Sequence, residues 1–420
     1  MTDEFPSVPS VFDMRPVVGR FAPSPTGRMH LGNAFAALGA WLGARAGAVH
    51  AQGSADLAQD EPPRSATSRF LLRIEDIDTP RAVPDADRWI MDDLSWLGID
   101  WDGDPVYQSQ RTEIYEQVLR RLGEQRLDEN EWLTYPCYCT RAQLRAASAP
   151  QESDGFLVYP GTCRHFAAAT IESDHHGDLL AAGGEQKPQN SPSDELTENS
   201  HSPRVDDRFP AREGRNPAVR MAMPPQNDPR AKVEFCDELF GNQPWNLPLD
   251  LGDIVLRRSD GLFAYQLAVV VDDYLQGVTQ VVRGRDLLRS TAAQLWVRKW
   301  VGKVCGTVAD GGASVNVAVS SSAAVPPAAP HRLEFAHLPL LLSDTTHTRL
   351  AKRDHSLELS TLRERGVTPE RIVGYLGYLL GILKKPDPCT PAELLPEFSW
   401  GKIRAAGLAD RKTDPSILAQ

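Results

Sequence analysis

The chain has 420 residues, with 45 Lys and Arg against 56 Asp and Glu, a formal net charge of −11 and 41% hydrophobic residues. This composition predicts a globular chain of two or three domains with a large core. Six cysteines are too few for a disulfide scaffold and indicate a reducing compartment. No stretch has the ~20 apolar residues that cross a bilayer, and the N-terminus lacks a signal-peptide pattern, so we expect a cytoplasmic protein without a membrane partner.

The acidic residues are concentrated in one segment. From 172 to 203 there are seven acidic residues against one lysine and no aromatic residue, a net −6 of the total −11. The remainder is only mildly acidic, so net charge does not exclude an RNA partner. Three segments, 50–68, 172–215 and 305–330, lack apolar periodicity and are predicted to be insertions.

Outside these insertions, short apolar runs alternate with helical patterns, which is typical of an α/β sheet. Strands are predicted at 17–22, 70–74, 264–271 and 278–282. Helices are predicted from about Asn33, up to Gly123, over 287–300 and across 372–379, before a proline-rich tail. Polar residues follow several strands, at the edge where open α/β sheets bind ligands.

Residues 20–33 combine a strand, a stiff Pro- and Gly-rich turn and the start of a helix. A helix N-terminus presents free N–H groups to an anion, Gly32 lets a nucleotide approach the backbone, and His30 can donate to a phosphoryl oxygen. The pattern therefore indicates a nucleotide site. The alternative is an ordinary turn whose histidine only caps the helix.

A second pattern is the basic run Arg349-Leu-Ala-Lys352-Arg353. A loop lysine can bring positive charge to phosphates while negative charge builds up during transfer. Alone, such a run is equally compatible with solvated surface. Only 68 residues follow Lys352.

In this order, the two patterns resemble the HIGH and KMSKS signatures of the class I aminoacyl-tRNA synthetases. Residues 20–27, 73–78, 265–268 and 271–273 resemble motifs of the glutamate-specific members. The resemblance implies a Rossmann-like α/β catalytic domain in two halves, with an inserted zinc-bearing connective module and a short helical stem. We place the halves at 16–130 and 251–345, the module at 131–250, and the signature loop, stem and tail at 346–420.

The resemblance also implies the site residues, although an Arg or Glu at a strand end could by itself be a surface ion pair. The expected glutamate pocket is Arg20, Phe21, Ala22, Pro23, Ser24, Glu75, Tyr265 and Arg283. Glu75 would pair with the substrate ammonium, and the arginines suit its two carboxylates. The expected ATP-binding residues are His30, Gly32 and Lys352, of which His30 and Lys352 are the expected catalytic residues.

The implied reaction is in-line attack of the glutamate α-carboxylate on the α-phosphorus of ATP, with Mg²⁺ accompanying the nucleotide. The C-terminal 68 residues cannot house a large anticodon-binding region. The chain therefore resembles the truncated branch of the family, which activates glutamate without tRNA and transfers it to the queuosine base of tRNA(Asp). The alternatives are a minimal synthetase that charges tRNA(Glu) and a catalytically silent paralogue that acts as a binding module. We expect a monomer, because no apolar helix face is left unexplained.

Three of the cysteines, Cys137, Cys139 and Cys163, fall in one short region, which favours a local metal site. Tetrahedral zinc takes four ligands at about 2.0–2.3 Å. From the residues alone His165 is the better fourth ligand, because its imidazole is neutral at pH 7 whereas a phenol ionises near pH 10. The resemblance names Tyr159 instead, and His165 stays the alternative. Three buried reduced cysteines without metal are the other interpretation.

Overall fold

The computed structural model describes residues 16–53, 68–140, 142–143, 157–164, 214–306, 333–343, 357–414 and 416–419. Most of each predicted insertion lies outside the described residues, as do His165, Arg349 and Lys352. Within them, none of the helices is both long enough and apolar enough to pass through a lipid bilayer.

Strands and helices alternate along the described residues. The strands are β1 Val18–Phe21, β2 Arg69–Ile74, β3 Val106–Tyr107, β4 Thr134–Cys137, β5 Ala218–Met221, β6 Lys232–Asp237, β7 Gly241–Asn246, β8 Ile254–Arg257, β9 Gln280–Gly284, β10 Glu334–Leu338, β11 Leu341–Ser343 and β12 Arg411–Thr413. The helices are α1 Leu31–Gly53, α2 Ala86–Trp96, α3 Thr112–Gly123, α4 Tyr265–Leu275, α5 Leu288–Cys305, α6 Leu359–Glu364, α7 Pro369–Leu380, α8 Pro391–Leu394, α9 Trp400–Ala405 and α10 Ser416–Ala419.

The main sheet consists of two hydrogen-bonded groups of strands that meet at β1 and β9. One group has the order β1-β2-β3 and is parallel, and the other has the order β7-β6-β10-β9, with only β7 antiparallel to its neighbour. Where they meet, the Thr279 N–H donates to the Val18 carbonyl oxygen and the Val18 N–H donates to Thr279 Oγ1, both at 2.9 Å. Strand order reverses at this point, where open α/β sheets form their ligand crevice.

The two faces of the main sheet bury separate hydrophobic clusters, because strand side chains alternate. On β1 and β2, Val18 and Leu71 enter one cluster, whereas Phe21 and Leu72 enter the other. Helix α1 packs tightly on the second side: a Cβ at Gly19 would lie 2.8 Å from the Ala44 Cβ. Only glycine therefore fits at this position of β1 without moving the helix.

Most predicted elements are confirmed within a few residues, but the strand at 264–271 is wrong. This segment forms α4, which is buried on every side along 267–273. An uninterrupted apolar run has neither the period of a strand nor that of an amphipathic helix, so the pattern cannot separate the two. The three consecutive valines, Val269 to Val271, favoured the strand.

The residues after α7 fold back onto the body of the protein. Strand β12 pairs in parallel with β11, and the Asp410 carboxylate accepts hydrogen bonds from Arg285 at 2.5 Å and from the Leu340 N–H at 3.0 Å. The proline-rich tail is thereby fixed to the segment that precedes the basic loop at 349–353.

A separate antiparallel sheet, β4-β5-β8, is interleaved with the main sheet along the chain, because β6 and β7 of the main sheet lie between β5 and β8. It carries Cys137 at the end of β4. Tyr159 joins this region through a bridge to Gly252, whose φ of 64° and contact with the Tyr159 backbone require glycine.

Candidate active site

The turn between β1 and α1 places His30 immediately before the helix. The Gly32 N–H donates to His30 Nδ1 at 3.0 Å, and the His30 N–H donates to Asn33 Oδ1 at 3.2 Å. The histidine thus does cap the helix, as the simpler interpretation expects. Since Nδ1 is an acceptor, the proton of the neutral ring lies on Nε2, which is then a donor. The two roles proposed for His30 are therefore compatible.

The described chain that follows the basic loop lies next to this turn. The loop's own residues lie outside the described part of the chain, but β11 ends at Ser343 and the chain is described again from Leu357. Glu358 forms a bridge with His30, and the Leu359 N–H donates to the Met29 carbonyl oxygen at 2.9 Å. The segment that follows the loop is thus bonded to the turn that carries His30.

Four charged side chains form a network at the carboxyl ends of β1 and β2. Asp273 on α4 accepts from Arg20 Nε at 3.3 Å and from Arg73 Nη1 at 2.8 Å. The Nη2 atom of Arg73 lies 3.6 Å from Glu75 Oε1. All four side chains are nearly inaccessible to solvent.

Glu75 is the member of this network with an unsatisfied oxygen. Its buried Oε1 has no hydrogen-bond partner among the described residues, and the same holds for Arg73 Nη2. Burial raises the pKa of Glu75 to about 7, against the opposing charges of Arg73 and Arg20. A ligand that brought a cationic N–H group to Oε1 would stabilise the ionised form.

The carboxylate of the neighbouring Asp272 is hydrogen-bonded to three side chains of the protein. It accepts from Arg111 Nε at 2.6 Å, and from Gln108 Nε2 and the Tyr115 hydroxyl, both at 2.8 Å. It therefore holds α4 against the segment around α3 and leaves Asp273 for the two arginines.

Arg283 on β9 is buried, and none of its hydrogen-bond partners among the described residues is a carboxylate. Its Nε donates to His337 Nε2 at 3.2 Å, its Nη1 to the Tyr265 hydroxyl at 3.2 Å, and its Nη2 to Thr291 Oγ1 at 2.7 Å. Another Nη2 contact, to the Leu287 carbonyl oxygen, is long at 3.4 Å. Burial lowers the pKa of Arg283, but a guanidinium stays protonated in proteins.

The notable property of Arg283 is that no described carboxylate pairs with it directly, although the charge of Asp273 acts on it from farther away. Among the residues that the structure describes, no carboxylate lies within ion-pair distance of it, and its side chain is 6% exposed. A buried unpaired cation is costly. The site can therefore receive an anionic group at Arg283 and a cationic group at Glu75.

The structure brings most of the predicted pocket residues to one region. Arg20 Nη1 contacts the Val282 carbonyl oxygen at 3.5 Å, next to Arg283. Phe21 and Pro23 are buried, Ala22 is half-buried and Ser24 is exposed. Tyr265 is 37% exposed and joins the site through Arg283.

Sequence reasoning missed the supporting residues Arg73, Asp237, Thr291 and His337. Arg73 begins the 73–78 motif that carries part of the family resemblance, so the sequence did contain a signal for it. The others lie on strands and helices far apart in the sequence, and nothing in the linear pattern links them.

The three clustered cysteines meet at one point. The Sγ atoms of Cys137, Cys139 and Cys163 lie within 4.8 Å of one another, and the last two are 3.4 Å apart. The Tyr159 hydroxyl lies 3.4 Å from Cys137 Sγ and 3.7 Å from Cys139 Sγ, and it accepts from the Cys163 N–H at 2.8 Å. In a tetrahedral zinc site, sulfur and oxygen ligands are separated by about 3.5 Å. The four groups therefore fit a metal ion.

Arg220 covers the Tyr159 ring, with its guanidinium carbon 3.7 Å from the ring centroid. None of the six cysteines of the chain, all of which lie within the described residues, forms a disulfide.

Comparisons with known proteins agree with this geometry. The family model described as the catalytic domain of class I tRNA synthetases (E and Q) matches residues 63–309. The glutamate tRNA ligase of Elizabethkingia meningosepticum superposes with a TM-score of 0.60 at 22% identity, covering 96% of this chain and 68% of that one. This similarity shows the fold.

Curated relatives are similar over nearly their whole length. A glutamyl-Q tRNA(Asp) synthetase of Symbiobacterium thermophilum is 37% identical over 396 residues, covering 92% of this chain and 93% of the relative. One of Geobacter sulfurreducens is 39% identical over 406 residues, covering 96% and 95%. The resemblance to the class I synthetases is confirmed, and the chain belongs to the glutamyl-Q tRNA(Asp) synthetase family.

Proposed function

We propose that the protein activates L-glutamate with ATP, without tRNA, and transfers the glutamyl group to the queuosine base of tRNA(Asp). The observation that carries this proposal is the buried Arg283, which has no directly paired carboxylate among the described residues, in the same site as the unsatisfied Glu75 oxygen. A zwitterionic amino acid with one further carboxylate supplies the missing partners of both groups.

The two carboxylates of glutamate need different binding partners in the site. The α-carboxylate must attack phosphorus, and a tight guanidinium pair would lower its nucleophilicity. We therefore assign the side-chain carboxylate to Arg283 Nη1 and to Tyr265, whose hydroxyl oxygen accepts from Nη1 and whose proton is then free to be donated to the substrate. The ammonium binds Glu75, and Arg20 to Ser24 line the remaining wall.

In the first step, an α-carboxylate oxygen bonds to the α-phosphorus of ATP while the bond to the bridging oxygen of pyrophosphate breaks. The Nε2–H of His30 and the Lys352 ammonium stabilise the phosphate charge, Gly32 lies against the nucleotide, and Mg²⁺ accompanies ATP. In the second step, a nucleophilic group of the queuosine base attacks the glutamyl carbonyl carbon, and AMP leaves.

The connective module, 131–250, holds a structural Zn²⁺ in this proposal. Cys137, Cys139, Cys163 and Tyr159 are its ligands, and His165 is the alternative fourth ligand. The distances given above and the chemistry of three thiolates support zinc over a hard cation. We place the catalytic halves at 16–130 and 251–345, with β6 and β7 of the module joining the main sheet, and the loop, stem and tail at 346–420. We expect a monomer that acts in the cytoplasm.

The testing experiment supplies labelled glutamate, ATP and Mg²⁺ together with tRNA(Asp) that contains or lacks queuosine, or with tRNA(Glu). Label on queuosine-containing tRNA(Asp) alone is the expected result. Glutamate-dependent exchange of pyrophosphate into ATP is measured without tRNA in parallel. Label on tRNA(Glu) would identify a minimal charging synthetase, and the absence of exchange and of transfer would identify a silent paralogue.

A further inference from the structure

Asp237, His337 and Arg283 lie on three adjacent strands of the main sheet. Strand β10 runs between β6 and β9, and His337 is directly opposite Arg283 in the parallel pairing of β10 with β9. The side chains of Asp237 and His337 are fully buried. Asp237 contacts His337, and His337 in turn contacts Arg283.

Asp237 is held as an acceptor from several directions. Its Oδ1 accepts from the Leu239 N–H at 3.0 Å and the Phe240 N–H at 2.9 Å, and its Oδ2 accepts from the His337 N–H at 3.1 Å. The imidazole Nδ1 lies 2.6 Å from the same Oδ2. Because an ionised carboxylate only accepts, Nδ1 carries the proton.

The other ring nitrogen is then an acceptor. His337 Nε2 receives the Arg283 Nε–H at 3.2 Å and lies 3.1 Å from Thr291 Oγ1. Burial lowers the pKa of His337, which is consistent with a neutral ring. Arg283 thus has a partner that fixes its orientation and leaves its charge intact.

We infer that His337, set in its Nδ1–H tautomer by Asp237, is a positioning residue that orients Arg283 for the side-chain carboxylate of the substrate. A carboxylate in place of the imidazole would also hold the guanidinium, but it would neutralise the charge that attracts the substrate. A neutral acceptor holds the guanidinium without neutralising its charge. This inference rests on the proposed function, because it assigns a role within the same site.

The test measures the KM for glutamate, the KM for ATP and kcat in pyrophosphate exchange for three full-length variants. H337E keeps an acceptor for Arg283 but adds a negative charge, whereas H337Q keeps a neutral acceptor. D237N reverses the tautomer of His337, because the Asn amide donates to Nδ1 and the ring proton then lies on Nε2. We expect H337E and D237N to raise the glutamate KM by about tenfold or more, the effect of losing one charge-assisted hydrogen bond, with the ATP KM little changed. H337Q should stay within about threefold of the wild type.

A purely structural role gives a different result. The melting temperature and the active fraction would fall in all three variants. In the enzyme that remains folded, the glutamate KM would change no more than the ATP KM. Glutamate KM values equal to the wild type in both H337E and D237N would overturn the inference, and so would an H337Q defect as large as that of H337E. If H337E does not fold, the comparison of D237N with H337Q decides. Absence of exchange in the wild type would instead refute the proposed function, and this inference with it.

Discussion

The Nη2 atom of Arg73 and the Oε1 atom of Glu75 lie 3.6 Å apart, and neither makes a hydrogen bond within the part of the chain that the structure describes. Arg73 is instead bonded through Nη1 to Asp273 at 2.8 Å and to Gln276 Oε1 at 2.8 Å. Asp273 therefore satisfies much of the charge of Arg73, and Glu75 is left with a raised pKa and one unpartnered oxygen. This arrangement leaves Glu75 able to receive a cation from outside the chain.

A pH dependence of glutamate binding follows. The ammonium needs ionised Glu75, whose pKa in the free protein is about 7, so binding strengthens as the pH rises through neutrality. At pH 6 only about a tenth of the molecules are ionised, and the glutamate KM should be about tenfold above its high-pH value. Pyrophosphate exchange measured from pH 6 to pH 8 checks this.

The control for this prediction is Glu75→Gln, which removes the titrating group. Its glutamate KM should be high and nearly constant over the same pH range. A wild-type KM that does not change with pH would show that Glu75 does not bind the ammonium, whereas an ATP KM that changes in parallel would locate the titration elsewhere.

Arg283→Ala should raise the glutamate KM by about 10-fold to 100-fold, because a charged hydrogen bond to the side-chain carboxylate is lost. Arg283→Lys keeps the charge but cannot reach His337, Tyr265 and Thr291 together, so we expect a smaller increase. The ATP KM is the internal control in the same exchange assay. An unchanged glutamate KM in the alanine variant would mean that the pocket has been misplaced.

The sequence pointed to candidate site residues where they lie within contiguous motifs. Arg20, His30 and Glu75 lie within short motifs that resemble those of the class I synthetases, and their roles stay predictions. The Asp273 contacts are not predictable in the same way, because the residues directly before it, 264–271, are predicted as a strand and form a helix instead. On α4 the two aspartates diverge, one toward Arg111 and the other toward Arg20.

His337 illustrates the remaining limit. It follows one of the predicted insertions and is separated from Asp237 by 100 positions and from Arg283 by 54. Its role depends on the order of β6, β10 and β9 in the sheet, which is set by tertiary packing and not by local pattern. A single histidine in an apolar run gives no sign of that order.

Lys352→Ala should lower kcat for adenylate formation with little change in the glutamate KM, because its charge is needed while the phosphates reorganise. The segment after its loop is bonded to the His30 turn, which supports this placement. The matched control is Lys385→Ala, which removes an exposed lysine beyond α7. Equal losses in kcat and in glutamate affinity would contradict a role confined to the phosphates.

The cysteine cluster should bind about one zinc ion per chain, and Cys139→Ser should remove most of it, because a tetrahedral site needs all four ligands. Elemental analysis of the purified protein measures the zinc, and thermal unfolding measures the lost stability. Cys236→Ser is the matched control, since this cysteine is exposed and apart from the cluster. Loss of zinc in Tyr159→Phe but not in His165→Ala would assign the fourth ligand to the phenol, whereas the reverse would assign it to the imidazole. Wild-type protein that retains no zinc after purification in metal-replete buffer would show three reduced thiols instead.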